Sequence, residues 1–121
     1  MIDPGMPLSD TLDPRIATAV RILQSHPEQE IDIAALAQRV NLSERQFERV
    51  FAEQMGITAT RFRLKFRLEF ARTRLETTFD SVKQVMAASG FKNQSHFSER
   101  FKKTYGLAPT EYRDRRSTIA R

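Results

Sequence analysis

The run GFKNQSHFSERFKKTYG, residues 90–106, places two phenylalanines four apart between two glycines, with basic residues on several sides. Four residues is about one helical turn, so Phe97 and Phe101 share a face. The same skeleton stands earlier in the chain. Phe47, Phe51, Gly56 and Phe62 are followed fifty residues later by Phe97, Phe101, Gly106 and Tyr112. One helix is therefore written twice.

Each copy stands behind a shorter helix and a tight turn. Asp32 is placed to cap a short helix whose apolar face is Ile33, Leu36, Ala37 and Val40. Asn41, a residue that tolerates the left-handed conformation, breaks it. Ser43 followed by Gln46 is a capping box, so a third helix starts at once and stops at Gly56. In the second copy Asp80 is expected to cap a fifth helix of about nine residues ending at Gly90. Asn93 or Gln94 then opens a sixth helix that runs to Tyr105. The pair corresponding to Ala37 and Asn41 is Met86 and Gly90, and the second turn is one residue longer before its phenylalanine. Short helix, turn and longer helix form the pattern of a helix-turn-helix, whose second helix enters the DNA major groove.

The rest of the chain fits around these copies. Residues 1–13 hold two prolines and a glycine without period and read as a disordered linker or expression remnant. Asp13-Pro14 starts a first helix through about Gln24. Residues 58–76 contain no breaker and form a long connecting helix, on which Arg67 is open to an internal ion pair. Pro109 starts a short seventh helix through Tyr112, and the basic tail after it is expected to fray. No strand pattern is present. The fold class is all-α: two helix-turn-helix subdomains, residues 14–57 and 77–116, joined by the helix 58–76, with a tail at 117–121.

Placing side chains at 100° per residue turns Phe47, Val50 and Phe51 inward and Arg45, Gln46, Glu48 and Arg49 outward or to the flanks. In the sixth helix Phe97 and Phe101 turn inward, leaving Gln94, Ser95, His96 and Glu99 outside. Side chains of these kinds can read bases: Arg pairs with guanine edges, Gln and Asn with adenine, and Glu can accept from cytosine. Ser43, Lys92, Asn93, Arg100, Lys102 and Lys103 lie where phosphates would be held.

Charge agrees with a polyanionic partner. The net charge is +5, distributed unevenly: −3 over residues 1–42, +4 over 58–76 and +3 over 90–105. There is no cysteine, hence no disulfide and no thiol nucleophile. His26 and His96 are seventy residues apart with no carboxylate cluster, so no metal site is expected, and no cofactor. No phosphate-binding glycine loop or nucleophile signature is present, and enzyme activity is not expected. No apolar run approaches the roughly 18 residues that span a membrane, nor does a signal peptide open the chain. A cytoplasmic location is the default. The competing reading is a basic helical module that docks an acidic protein partner or a membrane surface.

LAQRVNLSERQFERVF in the first half and GFKNQSHFSERFKKTYGLAPTEYR in the second closely resemble the C-terminal DNA-binding domain of AraC/XylS-type transcription regulators. The resemblance covers residues 15–116, and RLEFARTRL resembles the family's linker helix. Ala59 stands where the family has proline, and Met86 where it has a small alanine. The resemblance implies a bacterial regulator that binds double-stranded DNA, with RNA polymerase a further candidate partner. It also implies that the chain is a fragment, any dimerisation belonging to a separate N-terminal domain.

Overall fold

The computed structural model describes residues 12–120, with side chains described through Arg115. Seven helices run in order: α1 Pro14–Ser25, α2 Ile33–Arg39, α3 Glu44–Met55, α4 Ala59–Thr77, α5 Val82–Ala88, α6 Gln94–Tyr105 and α7 Pro109–Ala120. No strand occurs among the described residues, as the all-α reading requires. The linker expected over 1–13 falls outside the described residues except for its last two.

The chain forms two compact units. One holds the chain up to His26 with Glu30–Leu64, the other Pro27–Gln29 with the chain from Lys65 onward. The division lies inside α4, between Leu64 and Lys65, whereas the sequence puts domain boundaries at the two ends of that helix.

In the first unit, α1 starts where Asp13 accepts the Arg15 backbone N–H at 2.8 Å, with Pro14 preorganised behind it. The Arg15 guanidinium also donates to the Asp13 carboxylate, Nη2 to Oδ2 at 2.6 Å. These side-chain and backbone hydrogen bonds hold the Asp13 carboxyl down at about 2. Ile16, Ala19 and Leu23 recur at helical spacing and are fully buried. They pack with Leu36 and Ala37 of α2, Phe47 and Phe51 of α3 and Ala59 of α4. The turn between α2 and α3 needs a left-handed residue, and Asn41 supplies it at φ 62°.

The second unit buries Leu68, Ala71 and Leu75 of α4, Val85 of α5, and Phe97 and Phe101 of α6. Its core is more aromatic. Phe101 meets Phe97, Tyr105 and Tyr112 at ring-centroid separations of 5.8, 4.7 and 5.4 Å. Met86 is half-buried where its counterpart Ala37 is fully buried.

Two expectations are corrected. Ser81, not Asp80, caps α5: its hydroxyl accepts the Gln84 N–H at 3.0 Å and its own N–H donates to Gln84 Oε1 at 2.7 Å. That reciprocal box shortens the helix to seven residues, and Asp80 instead pairs with Arg74. α7 continues from Pro109 to Ala120 where a short helix and a fraying tail were expected, because nothing after Tyr112 breaks a helix. Arg67 donates to the backbone carbonyls of Pro27 and Gln29, at 3.0 and 2.8 Å.

A pair of arginines closes the two units in the same way. Arg63, 6% exposed, donates Nη1 to Leu23 O at 2.8 Å and Nη2 to His26 O at 3.1 Å, satisfying carbonyls at the end of α1. Arg113, fifty residues later, donates Nε to Leu75 O at 3.2 Å and Nη2 to Thr78 O at 3.3 Å, with a further bond to Asp80 O, at the end of α4. The offset that relates the phenylalanines thus relates the closing arginines too. Helix α4 closes the first unit with its N-terminal half and opens the second with its C-terminal half.

Candidate nucleic-acid interface

Two buried phenylalanines set the rotation of each long helix about its own axis. Phe47 and Phe51 in α3, and Phe97 and Phe101 in α6, are 0% exposed. A residue midway between such a pair lies about 180° from the buried edge. Arg49 and Glu99 are therefore the outermost residues of their helices, and both are exposed.

In α3, Arg45, Gln46, Glu48 and Arg49 are all exposed. They do not all keep their full hydrogen-bonding capacity. The capping box fills Gln46 Oε1, which accepts from the Ser43 N–H at 3.2 Å and the Ser43 hydroxyl at 3.1 Å. The Ser43 hydroxyl in turn accepts the Gln46 N–H at 3.1 Å. Gln46 thus offers an outside ligand its amide N–H groups, and the Ser43 hydroxyl is spent within the cap. Arg49 Nη1 reaches Glu53 Oε1, one turn on, at 3.3 Å.

In α6, Gln94, Ser95, His96 and Glu99 are exposed. Asn93 caps the helix by accepting the His96 N–H at 2.9 Å through Oδ1 and keeps its amide donors. The His96 ring sits 5.9 Å from the Phe91 ring, centroid to centroid. Among the phosphate candidates Ser43, Lys92, Asn93, Lys102 and Lys103 are exposed. Arg100 is half-buried, its Nε enclosed without a hydrogen-bond partner.

Electrostatics separates the two faces. α3 carries Arg45 and Arg49 against Glu44, Glu48 and Glu53, a net −1; α6 carries Arg100, Lys102 and Lys103 against Glu99, a net +2. Among the described residues no cluster of His, Cys, Asp and Glu fits a metal ion. No described helix is long and apolar enough to cross a membrane.

Reading residues by pattern missed Arg63 and Arg113, which hold the frame behind both faces. The signal was present in the offset: fifty residues separate Arg63 from Arg113 just as they separate Phe62 from Tyr112.

A family model described as a helix-turn-helix domain matches residues 36–115. The chain is 34% identical over 103 residues to the HTH-type transcriptional regulator GbdR of Pseudomonas aeruginosa, a match that covers 85% of this chain and 28% of the relative. The chain thus spans under a third of that relative's length. A crystal structure of a transcriptional regulator with an AraC-type DNA-binding domain, from Chromobacterium violaceum, superposes with a TM-score of 0.78 at 31% identity, covering 85% of this chain and 92% of that one. The DNA-binding domain of AdpA, a global transcriptional factor solved in complex with a target DNA, superposes with a TM-score of 0.78 at 28% identity, covering 83% and 90%.

Proposed function

Since the chain belongs to the AraC/XylS family of transcription regulators and carries that family's helix-turn-helix DNA-binding domain, we propose that it binds a specific duplex DNA site through α3 and α6, each entering one of two successive major-groove segments, as the DNA-binding part of a larger, effector-responsive bacterial regulator. The observation that carries this reading is the paired construction of the two helices. Each is capped at its N-terminus, anchored by two fully buried phenylalanines, and edged on the outside by side chains that match base edges.

In this reading the rigid inner edge fixes the backbone from which the outer groups project, so the helices need no ordering on binding, while each exposed side chain that is held still loses rotamer freedom. Arg45, Glu48 and Arg49 from α3, and Gln94, Ser95, His96 and Glu99 from α6, face base edges. Gln46 contributes as a donor alone. Lys92, Lys102 and Lys103, with the amide of Asn93, hold phosphates and fix register without reading sequence. Dimerisation and contact with RNA polymerase belong to the full-length regulator.

Selection from a random duplex library, followed by titration of the winner against its scramble over a salt series, tests the reading. The expected result is an enriched site bound well above the scramble, and about 1–3 kcal/mol lost on that site with Arg45→Ala. Steeply salt-dependent binding with no enriched site would reduce the protein to an electrostatic polyanion binder. Tight binding to vesicles or an acidic protein with no binding to DNA would overturn the reading altogether.

A further inference from the structure

Between the two long helices the outer surface changes sign along its length. With α3 and α6 aligned by their phenylalanines and left-handed glycine caps, Arg45 corresponds to Ser95, Arg49 to Glu99, Ala52 to Lys102 and Glu53 to Lys103. The outer stripe of α3 thus begins with guanidinium donors and ends with a carboxylate. That of α6 carries a carboxylate in its middle and ends with two ammonium groups. Because both helices are rotated identically against their own cores, the reversal is a property of equivalent positions.

Recognition helices meet base edges with their N-terminal residues and the middle of their outer face, and the far end lies nearer the backbone. A guanidinium in the middle matches the paired acceptors of guanine, N7 and O6. A carboxylate there has one good match in the major groove, the N4 amino donor of cytosine. Glu99 is exposed and makes no ion pair among the described residues, so its oxygens are open to such a donor. Lys102 and Lys103 in the last turn offset the repulsion between that carboxylate and the phosphates. In α3, Arg49 Nη1 reaches Glu53 Oε1 at 3.3 Å in an exposed pair, which leaves the other guanidinium donors for a base.

We infer that the two helices read unlike base pairs at equivalent positions, Arg49 a guanine and Glu99 a cytosine, so that the two blocks of the target site are not copies of each other. The inference rests on the DNA-binding reading above and names its specificity.

The experiment repeats the library selection with the wild-type chain and with Arg49→Ala, Glu99→Gln and Glu99→Arg. Both positions are exposed, and thermal melts that match the wild type confirm that each variant is folded. Glu99→Gln is expected to lower discrimination at one cytosine by about tenfold or more, and Glu99→Arg to turn that preference toward guanine. Arg49→Ala is expected to relax a guanine in the other block alone. If the Glu99 variants leave every position of the selected site unchanged and raise affinity for all sequences alike, Glu99 is a solvated acid and the inference falls while the DNA-binding reading stands. If the wild-type chain enriches no site, both fall together.

Discussion

The two units use the same local devices in opposite places. In the first, the reciprocal cap of serine and glutamine opens the long helix α3, and a lone aspartate opens the short helix α2. In the second, the reciprocal cap opens the short helix α5, and a lone asparagine opens α6. The left-handed turn residue is Asn41 in one and Gly90 in the other. The first core is built largely from Ile, Leu and Val, whereas the second is built around five aromatic rings. What the units share is narrower: two phenylalanines four apart, a left-handed glycine at the end of the long helix, and an arginine that ties the next helix to the first. With that set in common the two units keep one architecture, while other positions differ in chemistry. The exposed stripes of α3 and α6 differ most.

The sharpest way to break the shared part is to empty it. Phe51→Ala and Phe101→Ala are each expected to cost about 3–5 kcal/mol in urea unfolding, since a fully buried ring leaves a cavity that its neighbours fill only in part. Amide hydrogen exchange should place each loss in its own unit.

Next come the closing arginines. Removing either strands backbone carbonyls, at about 1–3 kcal/mol for each one left unsatisfied. Arg63→Ala should cost more than Arg113→Ala, because Arg63 is almost wholly buried while water can reach the half-buried Arg113. Equal losses in thermal melts would show that the two keys are closer in character than their burial suggests.

The turns should respond unequally. Gly90 has φ 89°, and a Cβ there would collide with the Pro27 carbonyl oxygen and the Arg67 guanidinium. Gly90→Ala is expected to cost at least the roughly 1–3 kcal/mol of a non-glycine residue in a sparsely populated backbone region, with the collision added. Asn41→Gly, at an exposed turn, should change stability by only a few tenths of a kcal/mol. Denaturant midpoints compare the two.

The smallest differences lie in the caps. Ser43→Ala and Asn93→Ala should each cost about 1 kcal/mol. Gln46→Ala should add a loss that His96→Ala does not, because only α3 has a reciprocal partner at the third position. Helix-resolved hydrogen exchange in the first turns of α3 and α6 reads this directly.

Much of this architecture was legible in the chain because the strongest signals were local. Ser43 and Gln46 three apart, Asn41 before them and Gly56 after them delimit α3 without any knowledge of its neighbours. The start of α5 was harder: Asp80 and Ser81 are adjacent and both can cap. Gln84, three residues after Ser81, favours the serine, and Arg74, six residues earlier, draws Asp80 away, a pairing that the capping pattern alone does not register. The extent of α7 was hidden because RDRR has no apolar period to count. At the candidate site, the phase of the phenylalanines exposes Arg45, Arg49 and Glu99 on paper as in the structure. The restriction on Gln46 follows from the same capping box that marks the helix start, yet it concerns one oxygen atom and is visible only when that atom's bonds are traced. No local signal in the sequence singles out Arg63 and Arg113, since charge on a helix gives no hint of a carbonyl partner about forty residues away.

The closing arginines also order events during synthesis. Arg63 is made fifty residues before Arg113. At roughly 5–20 residues per second, that is a head start of about 3–10 s. A nascent chain that ends between the two already holds the key to its first unit, while the carbonyls at the end of α4 still wait for theirs. Translation itself therefore separates the closure of two units that share a helix.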